Sequence, residues 1–262
     1  MELIRDTRSL LPKHQGCVAT IGTFDGIHLG HQAVLRQVVN KSVDLKLPSV
    51  VIVFEPHPGE YLAPGHAPAR LMSFREKFCS IDSQGIDRLL RLSFNEKLRN
   101  MSASQFADDI FVNGLDVKYL VFGDDFRFGN NREGDIAFAQ KLGKLNNFDV
   151  VPTPTVAFEG NRISSTRIRK ALAQSDFVLG KSLLGRAYSI SGKVIYGRQM
   201  GRSLGAPTAN VELGRLSSPL TGVYTVRVDG ETMSDVYGVA NIGVRPTIDD
   251  CMRANLEVHL LD

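Results

Sequence analysis

The sequence contains few cysteines, no long apolar run and almost no excess of charge. Its three cysteines, Cys17, Cys79 and Cys251, lie far apart and outside any metal-ligand spacing, which favours a reducing, cytoplasmic compartment. No apolar stretch is long enough to span a membrane, and because charges at Glu2 and Arg5 come so early, no signal peptide is expected. The formal net charge of +3 predicts no nucleic acid or other polyanionic partner, and nothing indicates an oligomeric state.

With 43% hydrophobic and 23% charged residues, the chain has the composition of an ordinary globular protein. Its length of 262 residues is enough for two domains. In its first part, apolar strand-like runs alternate with helical patterns, which predicts a doubly wound parallel sheet. After about residue 182, β-rich runs are separated by Gly, Pro and Asp turns, which predicts an antiparallel β-barrel or sandwich. We therefore expect an α/β domain over 1–180 and a β domain over 181–262.

The individual elements follow from the same patterns. Apolar runs predict strands at 17–23, 48–54, 119–123 and 150–158, and the prolines of the last favour an edge position or an irregular course. Helices are predicted after Gly30, where Ala33, Leu35, Val38 and Val39 are the apolar positions, and at 71–81, 104–113 and 165–174. In the second domain, strands are predicted at 188–195, 223–228, 236–242 and 256–261.

A glycine-rich segment with two histidines joins the first predicted strand to the first helix. It contains Gly22, Thr23, Phe24, Asp25, Gly26, His28, Gly30 and His31. Glycines let a backbone approach phosphate closely, and a helix N-terminus offers free N–H groups. His28 and His31 can face the same anion and stabilise charge on a departing pyrophosphate. The segment predicts a nucleotide-phosphate site; an ordinary glycine turn with surface histidines is one alternative, and a shared zinc, which lacks a third ligand nearby in sequence, is another.

Two further basic segments are candidate phosphate sites. The first is a helix start with the residues Ser164, Ser165, Thr166, Arg167 and Arg169, in which hydroxyls cap the helix and arginines reach phosphate oxygens. The second is a glycine-punctuated loop with Gly197, Arg198, Gly201, Arg202 and Gly205, whose N–H groups can wrap phosphates. Thr208 and Asn210 follow that loop with neutral oxygens suited to Mg²⁺. An ordinary capped helix and a flexible hairpin are the respective alternatives.

Taken together, these segments resemble the bacterial bifunctional riboflavin kinase/FAD synthetase family. The resemblance covers nearly the whole chain and includes 22–31, 54–58, 122–129, 163–170, 207–210, 222–224, 239–243 and 256–262. It implies an α/β nucleotidyltransferase domain followed by an antiparallel β-barrel domain like that of riboflavin kinase. It also implies ATP and Mg²⁺ as requirements, with riboflavin, FMN and FAD as substrates or products.

For the first domain, the resemblance implies that the FMN phosphate attacks the α-phosphorus of ATP, which forms FAD and releases pyrophosphate. The implied catalytic residues are His28, His31 and Arg167, and the other residues of the two phosphate segments bind ATP. The implied flavin-binding residues are Phe54, Pro56, Pro58, Asp125 and Phe128. For the apolar members of that set, ordinary core packing is the alternative.

For the second domain, the resemblance implies that Glu257 is a general base. It takes the proton from the terminal hydroxyl of riboflavin as that oxygen attacks the γ-phosphate of a second ATP. A solvent-facing position between Leu256 and Val258 is the alternative. The family continues beyond the point where this sequence ends at Asp262, so a truncated chain with weak or absent kinase activity is expected as one possibility.

Two alternative functions belong to other groups of proteins. Enzymes that adenylylate pantetheine phosphate, nicotinamide mononucleotide or glycerol phosphate share the His-x-Gly-His turn, but they have no need of the β domain. A non-catalytic flavin or nucleotide sensor has no need of groups that stabilise pyrophosphate. Both alternatives are therefore less consistent with the sequence than FAD synthesis.

Overall fold

The computed structural model describes residues 1–123, 125–196, 207–246 and 252–261, and it divides into two compact units. The first unit consists of Met1–Ala67 and Lys77–Ser164, and the second of Pro68–Glu76 and Ser165–Asp262. The chain therefore leaves the first unit for a short segment, returns to it, and leaves it again after Ser164.

A six-stranded, wholly parallel sheet is the centre of the first unit, which confirms the predicted α/β fold. The strands are β1 (Glu2–Ile4), β2 (Cys17–Ile21), β3 (Ser49–Glu55), β4 (Arg88–Ser93), β5 (Val117–Gly123) and β6 (Asp149–Thr153), in the order β1-β4-β3-β2-β5-β6. A hairpin of β7 (Ala157–Phe158) and β8 (Asn161–Arg162) follows the sheet. The edge position predicted for the proline-containing strand is confirmed by β6.

Helices cover this sheet and connect its strands. They are α1 (Leu29–Leu45), α2 (Pro58–Leu62), α3 (Phe74–Asp82), α4 (Glu96–Arg99), α5 (Ala103–Phe106), which runs on into a π-helix (Ala107–Val112), and α6 (Ile136–Asn146); short 3-10 turns occur at Thr7–Ser9, Pro12–His14 and Asn130–Arg132. Helix α1 buries Val34, Leu35 and Val38, which confirms two of the four predicted apolar positions, whereas Ala33 and Val39 are half-buried.

The order in which strands are added to the sheet reverses at β2, and this reversal positions the site. From β2 the chain adds β3 and β4 on one side, whereas β5 and β6 lie on the other. Ligands of doubly wound sheets bind at the carboxyl ends of the strands where the strand order reverses. The histidine segment follows the carboxyl end of β2 and therefore lies at that switch point.

The second unit combines two helices with an antiparallel sheet. Its elements are α7 (Ser165–Ala173), α8 (Phe177–Leu184), β9 (Val194–Ile195), β10 (Ala209–Val211), β11 (Gly222–Val228), β12 (Val236–Pro246) and β13 (Met252–Leu260). The strand order is β11-β12-β13-β10-β9, and all four pairings are antiparallel, as predicted. Within the residues that the structure describes, β11 and β9 do not pair with each other, so what is seen is an antiparallel sheet rather than a closed barrel.

A buried polar network holds Pro68–Glu76 in the second unit. The guanidinium of Arg215 is wholly buried, pairs with the carboxylate of Glu76, and donates to the carbonyl oxygen of Leu71 at 2.9 Å. It also donates to the hydroxyl of Tyr188 at 3.0 Å, while the other oxygen of Glu76 accepts from the backbone N–H of Ser191 at 2.7 Å. A buried ion pair with its remaining hydrogen bonds satisfied is costly to break from one side.

Several strands differ from the prediction, and helices α2, α4, α6 and α8 were not predicted. Strands β1 and β4 were not predicted, because β1 is very short and the arginines in the sequence of β4 interrupt its apolar run. The strand predicted at 188–195 is reduced to β9, and the Tyr188 hydroxyl donates a hydrogen bond to the carbonyl oxygen of Leu71. Strand β10 was not predicted, because it is only three residues long and Pro207 precedes it closely.

Candidate active sites

The two histidines of the first site are placed by the start of helix α1. His28 is the N-cap residue, and its Nδ1 accepts a hydrogen bond from the backbone N–H of His31 at 3.2 Å. The two imidazole rings stack with centroids 3.6 Å apart and planes 14° from parallel. Within the described residues, Nδ1 of His31 is buried and has no hydrogen-bond partner. Both rings therefore lie at the helix N-terminus, where the peptide dipole favours an anion.

The backbone before these histidines has an unusual conformation. Phe24, Gly26 and Ile27 have backbone φ angles of +46°, +92° and +42°, in the left-handed region that residues other than glycine rarely adopt. For Phe24 and Ile27, which carry a Cβ, such conformations cost about 1 kcal/mol or more each, so the surrounding structure must hold them. Gly30 has a separate reason to be glycine, because a Cβ there would lie 3.1 Å from Nδ1 and Cε1 of His28.

Burial makes both histidines neutral near neutral pH. Burial, and after it the positive charge of Arg162, lowers the pKa of His28 to about 4. Burial, followed by the neighbouring His28 and Lys77, holds the pKa of His31 well below its ordinary value. Since Nδ1 of His28 accepts a hydrogen bond, its proton lies on Nε2. The pair offers neutral N–H donors rather than imidazolium charges.

The positive charge near the turn comes from two residues that the sequence analysis missed. Arg162 forms an ion pair with Asp125 at 2.7 Å, and its charge acts on both histidines. Lys77 is 2% exposed, and its Nζ donates to the carbonyl oxygen of Thr23 at 2.7 Å. Arg162 directly precedes Ile163 and Ser164, so a basic residue next to a predicted phosphate segment was an available signal. A lysine within an ordinary helical pattern gave no such signal for Lys77.

The remaining predicted residues of the turn have structural surroundings that the sequence did not reveal. Asp25 is 1% exposed, and its charge opposes the lowering of the pKa of His28. Phe24 is buried, with its ring centroid 5.1 Å from that of His31, and a Cβ at Gly22 would lie 3.2 Å from the Phe24 ring. Phe24 therefore packs the turn.

An aromatic group lies at the carboxyl ends of β3 and β4. Phe54 meets Phe94 edge to face at 5.8 Å, and Tyr61 meets Phe94 in the same way at 5.5 Å. Phe94 and Tyr61 were not predicted, although the position of Phe94 directly after a strand was an available signal. Pro56 is exposed, and Pro58 is the first residue of α2.

Phe128 has surroundings of a different kind. It is 5% exposed and contacts five other phenylalanine rings, namely Phe106, Phe111, Phe122, Phe126 and Phe138. Packing within the hydrophobic core accounts for this residue, and its contact with flavin stays a prediction.

The predicted serine and arginine segment lies where the first unit ends. Ser164 is the last residue of the first unit, and α7 begins the second at Ser165. Thr166 is exposed and Arg167 half-buried, while Nε of Arg169 donates to the carbonyl oxygen of Ala69 at 2.6 Å. The ATP contacts predicted for these residues stay predictions.

The second site is a row of polar side chains across the antiparallel sheet. Glu257 lies directly opposite Asn210 on one neighbouring strand and Asn241 on the other. The amide of Asn255 donates to Oε1 of Glu257 at 3.2 Å. Residues directly opposite each other in a sheet point to the same face, so these groups share one face. Leu256 and Val258 are 5% and 8% exposed and occupy the opposite, buried face.

Two of the residues predicted for the kinase site, Asn210 and Glu257, are paired across neighbouring strands in this row. Asn210 is nearly buried beside Glu257, whereas Thr208 is exposed. A hydroxyl oxygen, an amide oxygen and the carboxylate opposite Asn210 are hard donors of the type that Mg²⁺ prefers. Gly197, Arg198, Gly201, Arg202 and Gly205 lie outside the described residues. Asn241 and Asn255 were not predicted.

Two properties concern the described part of the chain as a whole. No three His, Cys, Asp or Glu side chains in it are grouped closely enough to hold a metal ion. None of its helices has both the length and the apolar character needed to cross a membrane.

Comparison with protein families identifies two matching models. One is described as FAD synthetase and matches residues 10–167; the other is described as riboflavin kinase and matches residues 184–262. The chain belongs to the riboflavin kinase/FAD synthetase family. The first match contains both histidines of the turn, and the second contains Asn210 and Glu257.

Relatives in this family are similar along the whole chain. The bifunctional riboflavin kinase/FMN adenylyltransferase of Pseudomonas fluorescens is 50% identical over 262 residues, which is 100% of this chain and 84% of the relative. The proteins of the same name from Escherichia coli K12 and Haemophilus influenzae are 46% and 44% identical, again over 100% of this chain and over 84% and 85% of theirs.

A solved structure has the same fold. The crystal structure of a protein from Streptococcus pneumoniae described as a macrolide-efflux protein matches with a TM-score of 0.81 and 29% identity. The match covers 100% of this chain and 85% of that chain.

Proposed function

We propose that this chain synthesises FAD in its first unit, by transfer of the adenylyl group of ATP to FMN, and phosphorylates riboflavin to FMN in its second. The observation that supports this most directly is the stacked, neutral His28–His31 pair at the N-terminus of α1. Membership in a family whose relatives are named for both activities supports the same assignment.

In the first reaction, an oxygen of the FMN phosphate attacks the α-phosphorus of ATP, and the bond to the β,γ-pyrophosphate breaks. His28 donates its Nε2–H to a phosphate oxygen, and the N-terminus of α1 stabilises the negative charge that gathers on the leaving pyrophosphate. Arg162 adds positive charge next to the histidines. Because the histidines are neutral before substrate binds, they act as hydrogen-bond donors and need no protonation.

The isoalloxazine ring binds, in this proposal, to the aromatic group of Phe54, Tyr61 and Phe94. Flavin rings are flat and largely apolar, and edge-to-face aromatic side chains offer a matching surface. The location supports this assignment. The group lies at the carboxyl ends of β3 and β4, and the histidine turn lies at the carboxyl end of the neighbouring strand β2.

In the second reaction, the terminal hydroxyl oxygen of riboflavin attacks the γ-phosphorus of ATP, and ADP leaves. Glu257 accepts the hydroxyl proton, and the amide of Asn255 orients the carboxylate. Thr208 and Asn210 would hold Mg²⁺, which supplies charge neutralisation on the ATP phosphates when it is bound.

We assign these activities to an adenylyltransferase domain at 1–180 and a kinase domain at 181–262. The family matches, which end at 167 and begin at 184, support a boundary between them. We also place the protein in the cytoplasm, because the proposed substrates ATP and riboflavin are metabolites used there, and Cys17 and Cys79 are free thiols.

The proposal is tested with the purified chain, ATP, Mg²⁺ and either FMN or riboflavin, with the products separated by chromatography. We expect FAD from FMN, and FMN followed by FAD from riboflavin. Pantetheine phosphate and nicotinamide mononucleotide serve as competing acceptors, and adenylylation of either in preference to FMN would overturn the substrate assignment. Tight flavin binding without any product would instead favour a sensor.

A further inference from the structure

Lys77 is a charged residue in an unusual place. It lies in α3, is 2% exposed, and is among the largest wholly buried side chains in the described part of the protein. Lysine side chains are seldom buried so completely, because the ammonium group loses its hydration. A buried lysine therefore needs a structural or functional reason.

The contact of Lys77 with the histidine turn gives that reason. Its Nζ donates to the carbonyl oxygen of Thr23 at 2.7 Å, a short hydrogen bond from a charged donor. Thr23 directly precedes Phe24, the first of the turn residues with a left-handed backbone. A backbone in that region persists only where neighbouring groups hold it, and this hydrogen bond fixes the peptide at which the unusual conformation begins.

The charge of Lys77 also acts on the site. The hydrogen bond to Thr23 places the ammonium group of Lys77 directly beside the turn. After burial and His28, the positive charge of Lys77 also lowers the pKa of His31. A fixed positive charge within a poorly solvated turn attracts phosphate more strongly than it would in water.

We propose that Lys77 is a positioning residue for adenylyl transfer, which holds the turn through the Thr23 carbonyl and supplies fixed positive charge next to the two histidines. This inference rests on the FMN adenylyltransferase activity proposed above. It assigns part of the attraction for ATP to a residue of α3, outside the histidine segment.

The test compares Lys77→Ala and Lys77→Met with the full-length chain and with Lys118→Met, a matched control in which an exposed lysine of the same unit is replaced. For both Lys77 variants we expect kcat/KM for ATP in FAD formation to fall about 10- to 100-fold, the range for a hydrogen bond from a charged group. The KM for FMN and the formation of FMN from riboflavin should change less than about twofold. Lys118→Met should match the parent chain.

Chemical rescue separates positioning from a general structural role. Propylamine replaces the atoms that Lys77→Ala removes and should restore FAD formation, whereas propan-1-ol, of similar size but uncharged, should not. Equal effects of the two additives, or an unchanged kcat/KM for ATP in Lys77→Met, would overturn the proposal. Lys77→Met fills the same space, so it decides the question if Lys77→Ala does not fold. A parent chain that forms no FAD would contradict the proposed function itself.

Discussion

At the scale of single residues, the two histidines of the turn have different surroundings although they stack on each other. His28 caps α1 through Nδ1 and so presents Nε2–H as its donor. His31 gives its backbone N–H to that cap, and its own Nδ1 is buried without a partner in the described part of the chain. In the proposed reaction, the geometry therefore favours His28 over His31 as the donor to a phosphate, a distinction that the sequence motif, with two equivalent histidines, does not contain.

Replacing His28 with Ala should lower kcat for FAD formation by about 100-fold or more, since one hydrogen bond to developing charge is worth that much in other enzymes. The affinity for FMN, measured by the change in flavin fluorescence, should stay within about twofold because the aromatic group is unchanged. Formation of FMN from riboflavin is the internal control for folding. An undiminished FAD turnover would show that His28 has no part in the reaction.

Asn255 should matter only for the second reaction. Its amide donates to the Glu257 carboxylate, so Asn255→Ala should lower kcat for FMN formation several-fold, and Asn255→Asp, which places a like charge beside the base, should lower it further. Glu257→Gln should abolish FMN formation. In all three variants FAD formation from added FMN should be unaffected, and its loss would indicate a general defect in folding.

At the scale of elements, the sequence predicted best where one local pattern decided the outcome. The apolar runs of β2 and β3 and the amphipathic face of α1 were predicted within a few residues. Strand β4 was missed because its pairing with β1 and β3 is a long-range property, and its arginines obscure the local pattern. The helix predicted at 104–113 exists, but its change to π-helical hydrogen bonding after Phe106 has no signal in the sequence.

The same limit applies to the candidate sites. The histidine turn, Asn210 and Glu257 lie in short recognisable strings. Lys77 donates a hydrogen bond to the carbonyl oxygen of Thr23, 54 positions earlier in the chain. Phe94, which follows β4, contacts Phe54 on the neighbouring strand β3. Contacts of this kind depend on how the chain folds back on itself, which a single sequence does not reveal.

Three helical glycines offer a matched set of tests at this scale. A Cβ at Gly180 in α8 would be 3.5 Å from Leu172, an ordinary contact, so Gly180→Ala should raise the free energy of unfolding by about 0.5–1 kcal/mol. At Gly143 in α6 the Cβ would be only 2.4 Å from the carbonyl oxygen of Phe148, so Gly143→Ala should destabilise the fold by at least about 1 kcal/mol.

Gly30→Ala should act on function instead. The new Cβ displaces the His28 ring by a few tenths of an ångström, so FAD formation should fall several-fold while stability changes by less than about 1 kcal/mol. Urea unfolding and FAD assays on the three variants check the pattern. A Gly30→Ala variant with full activity would show that the position of this ring tolerates displacement.

At the scale of the whole molecule, the buried histidines predict how stability depends on pH. The pKa of His28 is about 4 in the folded protein and close to 6.5 when unfolded, so between these values the unfolded chain binds more protons. Stability should therefore be complete above about pH 6.5 and decline as the pH falls toward 4, with His28 accounting for up to about 3 kcal/mol.

The measurement is urea unfolding from about pH 7.5 down to about pH 4.5. His28→Gln should reduce the decline, because glutamine does not titrate, whereas His66→Gln, at an exposed position, should leave it as in the parent chain. An equal decline in His28→Gln and the parent would mean that His28 is accessible to protons in the folded state.

The pairing of Glu76 with Arg215 has a consequence for how such proteins diverge. Glu76 belongs to a short stretch before Lys77, whereas Arg215 comes 139 positions later, yet the two form one buried ion pair in the second unit. If two genes of this family recombine between the codons for Glu76 and Arg215, the hybrid protein takes one residue of the ion pair from each parent gene. Such hybrids should persist only when both parents have compatible residues at these positions, so the two sites are expected to change together among descendants.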